Sequence, residues 1–270
     1  MIFSKDSKEF LNIAIKAAKR AGDFILRHFG SISSGDITLK QPSDFVTFVD
    51  KESERIILET IKAAYPDHYF LTEESIKEDC PEGYLWIIDP LDGTTNYIHR
   101  FPVFSVSIAL QWKKVTVVGV VFDPLRNELF TSEVGKGAFL NGRPLTITST
   151  NNNALLSTGF PFRSRELIDP YLQLFKNLFC QVSGIRRIGS AALDLAYLAA
   201  GRCDGFFEIG LSPWDMAAGA LLIKEAGGII TDFGGGEQFL STGNILAGNK
   251  AVHKMLLKET KKIFTEIISR

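Results

Sequence analysis

The residues best placed to do chemistry in this sequence are carboxylates at the ends of apolar runs, where an acid is not simply part of a solvated face. Tyr84 to Ile88 is such a run, and it leads into Asp89, Pro90, Leu91, Asp92, Gly93, Thr94, Thr95 and Asn96. Pro90 has no N–H to give a ladder, so regular strand pairing must break there. Asp89 and Asp92, three positions apart across that turn, can converge on a hard cation such as Mg2+, which takes oxygen ligands. The amides of Gly93, Thr94 and Thr95 would then open a short helix and form a phosphate cradle. An Asp-capped turn, with Asp92 accepting from the Thr94 or Thr95 amide, accounts for the same residues equally well.

Three further clusters share this character. Phe70 to Thr72 ends in Glu73 and Glu74. Adjacent carboxylates repel unless a cation or solvent separates them. Glu73 continues the strand line and is the better candidate ligand, whereas Glu74 reads as the start of a solvated loop. Glu208 lies inside the apolar run Phe206 to Ile209, where an unpaired carboxylate costs several kcal/mol, so it needs a partner or lines a polar pocket. Asp215 follows Pro213 and Trp214 at a helix start, ordinary helix-entry chemistry. Asp44, Thr47 and Asp50 gather at another helix start, where Asp44 and Thr47 read as caps. No serine or threonine sits in a GxSxG elbow or beside a candidate histidine, so a nucleophilic mechanism has no support. His28, His68, His99 and His253 read as packing, hydrogen-bonding or surface residues.

The elements that must position these acids follow from periodicity. A helix is predicted from Phe10 to Phe29, stopped by Gly30, and a second after Pro42 and Ser43, ended by Pro66. Strands are predicted at His68–Thr72, Tyr84–Ile88, Val103–Trp112, Val115–Asp123 and Glu128–Ser132, followed by a hairpin around Asn141 and Gly142. Beyond the polar stretch Thr148 to Asn153, strands at Leu155–Gly159, Ile185–Ile188, Gly205–Ile209, Gly228–Asp232 and Asn244–Ala247 alternate with helices at Glu166–Phe179, Ser190–Ala200, Pro213–Ala226 and Ala251–Ile268. This pattern implies an N-terminal α+β half over 1–150, carrying most candidate ligands, and a C-terminal α/β half over 151–270, carrying Asp215 and the remaining wall of the site. The two halves are expected to pack tightly.

Composition narrows the function. The 270 residues carry 30 Lys+Arg against 31 Asp+Glu, a formal charge of −1. There is therefore no global basic field for nucleic acid or an anionic membrane. The longest apolar stretch, Val115 to Phe122, is too short to span a bilayer, and the charged start MIFSKDSKEFLNIAIKAAKR does not read as a signal peptide. Cys80, Cys180 and Cys203 form no metal or disulfide pattern. A cytoplasmic protein is expected.

Taken in order, these motifs resemble the inositol monophosphatase family over nearly the whole chain. Lys40 with Asp44 to Thr47, Glu73-Glu74-Ser75, Trp86 to Tyr97 with His99 to Pro102, and Trp214 to Gly219 with Glu225 to Gly228 carry the resemblance; Arg186 to Leu195 looks like the bacterial SuhB-like branch. The resemblance implies an α+β sandwich of alternating α-β-α-β-α layers, shared with fructose-1,6-bisphosphatase. It also implies dependence on two or three Mg2+, lithium sensitivity and a homodimer. Glu73, Asp89 and the Leu91 carbonyl match ligands of a first Mg2+; Asp89, Asp92 and Asp215 match those of a second. Asp44 and Thr94 match the pair that positions the attacking water. Gly93 and Thr94 fall in the phosphate cradle, Glu208 and Asp215 match residues facing the substrate, and Gly189, Ser190 and Ala191 match the wall beside the sugar ring. The implied activity is hydrolysis of myo-inositol monophosphate by a metal-activated water. Thr95-Asn96 departs from the Lys-Glu usual in adenosine bisphosphate phosphatases. A broader action on fructose-1,6-bisphosphate and a regulatory role through a transcription-machinery partner stay open, as do the roles of Arg186 and Arg187.

Overall fold

Strands with apolar residues on both faces need cover on both sides, and the fold supplies it by alternating helical and sheet layers. The computed structural model describes residues 6–32, 35, 37–41, 44–149 and 153–268. A seven-stranded sheet runs in the order β3-β4-β5-β6-β7-β8-β9, formed by Tyr69–Thr72, Tyr84–Asp92, Ser105–Trp112, Val115–Asp123, Glu128–Glu133, Gly137–Leu140 and Arg143–Pro144. Only β3 and β4 pair in parallel; the rest is an antiparallel meander. Along β4, Trp86, Ile88 and Leu91 pack with helices α1 (Asp6–His28) and α2 (Phe48–Lys62). Leu85 and Ile87, pointing the other way, pack with α5 (Ala191–Ala199) and α6 (Pro213–Glu225). This is the period-two alternation of a strand covered on both faces.

The second sheet has five strands in the order β11-β10-β12-β14-β13 (Gly184–Arg186, Leu155–Thr158, Gly205–Glu208, Ile245–Gly248, Ile229–Thr231). Phe206, Ile230, Ile245 and Ala247 join the cluster around α5 and α6. Its opposite face buries Leu156, Phe207 and Leu246 against α4 (Ile168–Phe179) and α8 (Lys250–Ile268). The layer order is therefore α-β-α-β-α, as the family resemblance implies. Helix α6 lies between two sheets and is apolar nearly all round, which suits a helix with no solvent face.

Local chemistry sets the ends of the elements. Pro90 does not end β4, which continues to Asp92 with an irregularity between Asp89 and Asp92 that splays the two acids out of simple alternation. Gly93, in the left-handed region at φ 96°, turns the chain into α3 (Thr94–Ile98). The second helix starts later than expected. Asp44–Thr47 instead forms strand β2, paired with β1 (Ile37–Gln41), and Thr47 caps α2 by accepting from the Val49 amide at 3.1 Å. Two short elements, this hairpin and α7 (Phe239–Thr242), were not expected. The stretch Thr148 to Asn153 falls partly outside the described residues, since 150–152 are not among them. No helix of the described residues is long and apolar enough to cross a membrane, and the three cysteines carry free thiols.

Two layers approach closely at Gly119 in β6, where a Cβ would lie 2.8 Å from the Ala218 carbonyl of α6 and 2.9 Å from the Ser132 hydroxyl. Gly119→Ala should cost about 1–3 kcal/mol of unfolding free energy through overpacking, read from denaturant melts. Wild-type stability in that variant would contradict the close seating of α6 on this sheet.

Candidate active site

Three elements from both halves of the chain end at one cleft of about 420 Å³. The end of β4 brings Asp89 and Asp92, and the first turn of α6 brings Asp215. All three are buried, with carboxylate oxygens within 4.8 Å of one another. Glu73, just beyond β3, is kept in register with β4 by its amide donating to the Ile88 carbonyl at 3.1 Å, and it lines the same cleft. Glu74 does not line it; its amide donates to Glu54 Oε2 at 2.9 Å.

Each acid is held by specific donors. Asp89 Oδ1 accepts from the Leu91 amide at 3.0 Å. Asp92 Oδ2 accepts from the Ser190 hydroxyl at 2.5 Å and the Ala192 amide at 2.9 Å, so the N-terminus of α5 points at this carboxylate. Asp215 Oδ2 accepts from the Ser212 amide at 2.7 Å, the capping interaction expected at this helix start. The same oxygen accepts from Arg163 Nη1 at 2.8 Å, and the Arg163 guanidinium lies 3.9 Å from Glu73. Burial, then the charges of Glu73, Asp92 and Asp215, pushes the Asp89 carboxyl well above the ordinary carboxylate range. Burial and Asp215 push Asp92 up to about 6, against the lowering donors from α5. Carboxyls under this pressure ionise readily only when a cation offsets them. The donor set is all oxygen, which suits a hard divalent cation rather than a thiophilic one. The residues therefore fit a metal of that kind.

Thr94 is bonded to an acid beyond those expected at the site. Its hydroxyl donates toward Asp50 Oδ1 at 2.8 Å and toward the Leu91 carbonyl at 3.0 Å. An acid paired with Thr94 is thus Asp50, in the first turn of α2; Asp44 opens β2, and its side chain lies outside what the structure describes. Asp50 Oδ2 accepts from the Thr47 amide at 2.8 Å and the Thr47 hydroxyl at 2.6 Å. Burial raises the Asp50 carboxyl even against these bonds. Thr47 and Asp50 form a reciprocal cap, so the three-residue Thr-x-x-Asp spacing was the available signal for Asp50.

The remaining wall of the cleft comes from the C-terminal half. Gly189, Ser190, Ala191 and Glu208 line it, as do Gly93, Thr94 and Thr95 at the start of α3. The Ser190 hydroxyl is committed to Asp92, so this residue holds a neighbouring acid as well as forming wall. Asn96 ties α3 to the same loop by donating to the Val103 and Ile188 carbonyls, both at 2.8 Å. Glu208 sits so close to the Gly159 backbone that a Cβ there would meet its carboxylate at 1.8 Å. Burial and Asp215 push Glu208 up to about 8. Arg187 lines the cleft beneath Phe160 and Phe162, with its guanidinium 5.9 and 5.6 Å from their ring centroids, while Arg186 is exposed on β11. Arg163, Phe160, Phe162 and the buried Asp194 were not singled out from the sequence. They reach the cleft through tertiary packing, with no local pattern to mark them.

A layered α+β sandwich with clustered oxygen donors where its two halves meet defines the sugar-phosphatase class of fold. A family model described as the inositol monophosphatase family matches residues 6–265, and the chain belongs to that family. It is 48% identical over 263 residues to the Nus factor SuhB of Escherichia coli K12, covering 96% of this chain and 98% of that protein. The solved extragenic suppressor protein suhB of Bartonella henselae matches at TM-score 0.89 and 42% identity, over 94% of this chain and 99% of that one. The inositol monophosphatase of Anabaena sp. PCC 7120 matches at TM-score 0.85 and 41% identity, over 95% and 96%.

The Glu208 carboxyl predicts a pH effect on stability. The folded state keeps its proton up to about pH 8, whereas the unfolded chain releases it near 4.5. Between those values the folded state binds more protons, so this group's contribution to stability falls as pH rises. Glu208→Gln should flatten the fall in melting temperature between pH 5 and 8 and leave the variant the more stable form at pH 8 (window from the same shift). Parallel melting curves for the two proteins would contradict this.

Proposed function

We propose that the protein is an Mg2+-dependent phosphomonoesterase that hydrolyses myo-inositol monophosphate to inositol and phosphate. The observation that carries this reading is the convergence of Asp89, Asp92 and Asp215 within 4.8 Å, beside the bonded pair Thr94 and Asp50. The name and similarity of the Anabaena relative support the substrate. In this reading Glu73, Asp89 and the Leu91 carbonyl hold one Mg2+, and Asp89, Asp92 and Asp215 another. Residues 1–150 supply all of these but Asp215, and residues 151–270 supply Asp215 and the sugar-facing wall. The bound ions supply Lewis-acid chemistry: they lower the pKa of water and neutralise charge on the phosphoryl and leaving oxygens.

The chain's own residues orient the reactants. Thr94 gives its proton to Asp50, which turns the hydroxyl's lone pairs outward to accept from a water aimed at phosphorus. The amides at the start of α3, which line the cleft, would face the phosphate oxygens. Glu208, protonated near neutrality, and Asp194, whose carboxyl burial also raises, can donate to or accept from polyol hydroxyls. Attack by water needs no covalent phosphoenzyme, in keeping with a Ser190 hydroxyl already bonded to Asp92. Such a protein would act in the cytoplasm, and as a homodimer, the latter as the family resemblance implies.

Asp89→Asn, Asp92→Asn or Asp215→Asn should lower Mg2+-dependent phosphate release by about a thousandfold or more, with unchanged circular dichroism. Wild-type activity in any of them would sink the ligand assignment. Asp50→Asn should lower kcat by about 10²–10⁴-fold, the usual scale of general-base help, and an unchanged kcat would contradict its pairing with Thr94 at the attacking water. Asp44→Asn tests in the same way the water-positioning role that the family resemblance implies for Asp44.

A second reading rests on the E. coli relative, whose name is that of a Nus factor. It makes this chain a protein-binding regulator in transcription, with or without catalysis. A pull-down with wild type and Asp92→Asn separates the readings: an RNA polymerase-associated partner retained by the inactive form supports a separate binding role, and its absence from both leaves catalysis alone.

A further inference from the structure

We propose that Lys77 is a positioning residue that clamps the two ligand-bearing segments of the cleft against each other, and so sets the affinity of the site for its divalent cation. The inference rests on the metal-dependent reading above. It starts from the loop after β3. Thr72 Oγ1 accepts from the Ile76 amide at 2.9 Å, and the Thr72 amide donates to the Ile76 carbonyl at 2.7 Å. The chain therefore turns back at once, and Lys77 forms a bridge with Leu71.

From there the Lys77 ammonium donates to the Thr72 carbonyl and, at 2.9 Å, to the Glu73 carbonyl. It also stands 3.9 Å from the centroid of the Trp214 ring. An ammonium has three N–H donors; two of its bonds go to carbonyls of the Glu73 segment, and the group also lies over the indole. Trp214 is in the first turn of α6 and immediately precedes Asp215. Its carbonyl accepts from the Ser107 hydroxyl at 3.1 Å, while its buried indole N–H has no hydrogen-bond partner among the described residues. The ring is thus located by what lies against its faces, and Lys77 is the charged contact there.

Lys77 lies outside the cleft lining. It ties together a strand end in the N-terminal half and a helix start in the C-terminal half, each carrying one acid of the site. Groups that orient ligands without touching the metal commonly change metal affinity by about ten- to a hundredfold when removed.

The test is a calorimetric Mg2+ titration of the full-length protein as wild type, Lys77→Met and Lys77→Arg, with Trp214→Leu alone and combined with Lys77→Met. Lys77→Met should weaken Mg2+ binding by about tenfold, Lys77→Arg should restore it to within about threefold because it keeps the charge and the ring contact, and Trp214→Leu should weaken it with little further loss in the double variant. Mg2+ binding by Lys77→Met as tight as wild type, or tighter, overturns the clamp, since the ammonium would then act only as a competing charge. If Lys77→Met does not fold, independent losses from Trp214→Leu and Lys77→Arg overturn it equally. Wild-type protein that binds no Mg2+ overturns the metal-dependent reading, and the clamp with it.

Discussion

Mutual repulsion among desolvated carboxylates is the constraint around which this molecule is arranged. Asp89, Asp92 and Asp215 are buried within 4.8 Å of one another, a geometry that opposes folding unless each acid is donated to from outside the cluster or shared with a cation. Each group has such donors: the Leu91 amide on Asp89, the α5 N-terminus on Asp92, the Ser212 amide and Arg163 on Asp215. A chain with a formal charge of −1 can in this way hold a strongly acidic pocket, and in the proposed function cations held there would attract an anionic phosphate.

The layered fold is what brings those acids together at such a spacing. Helix α6 lies between the two sheets, so its first turn is fixed by packing on both sides, and Asp215 with it. Helix α5 fills the same layer with its N-terminus directed at Asp92. The irregularity at Pro90 lets β4 present two acids from one strand end, which strict alternation would have sent to opposite faces. Single contacts such as Asn96 to the Ile188 carbonyl then lock the two halves into one register across the cleft.

Much of this was legible in the sequence because it is local. The apolar runs, the Gly93 turn and the capped helix starts all leave patterns within a few residues, and their alternation implies the α/β character of the C-terminal half. Recognition of the family added what local pattern cannot give, the convergence of acids far apart in the chain. What escaped was tertiary or ambiguous. The bond between Thr94 and Asp50 is one such case: the second helix starts at Phe48, after the β2 strand, and the Thr47 cap turns Asp50 toward Thr94. Arg163, Arg187 and Lys77 are ordinary surface-type residues by pattern, and only the folded chain shows one reaching Asp215, one lying under the cleft aromatics and one against Trp214.

The most direct test of the account is the location of a bound divalent cation. Crystals of the wild-type protein soaked in Mn2+ and measured at a wavelength where manganese scatters anomalously should show a peak directly ligated by Asp89, Asp92 and Asp215. A second peak, toward Glu73 and the Leu91 carbonyl, should appear as the concentration rises. Saturating Mn2+ with no anomalous density among these carboxylates would contradict the claim that the acid cluster is a metal centre.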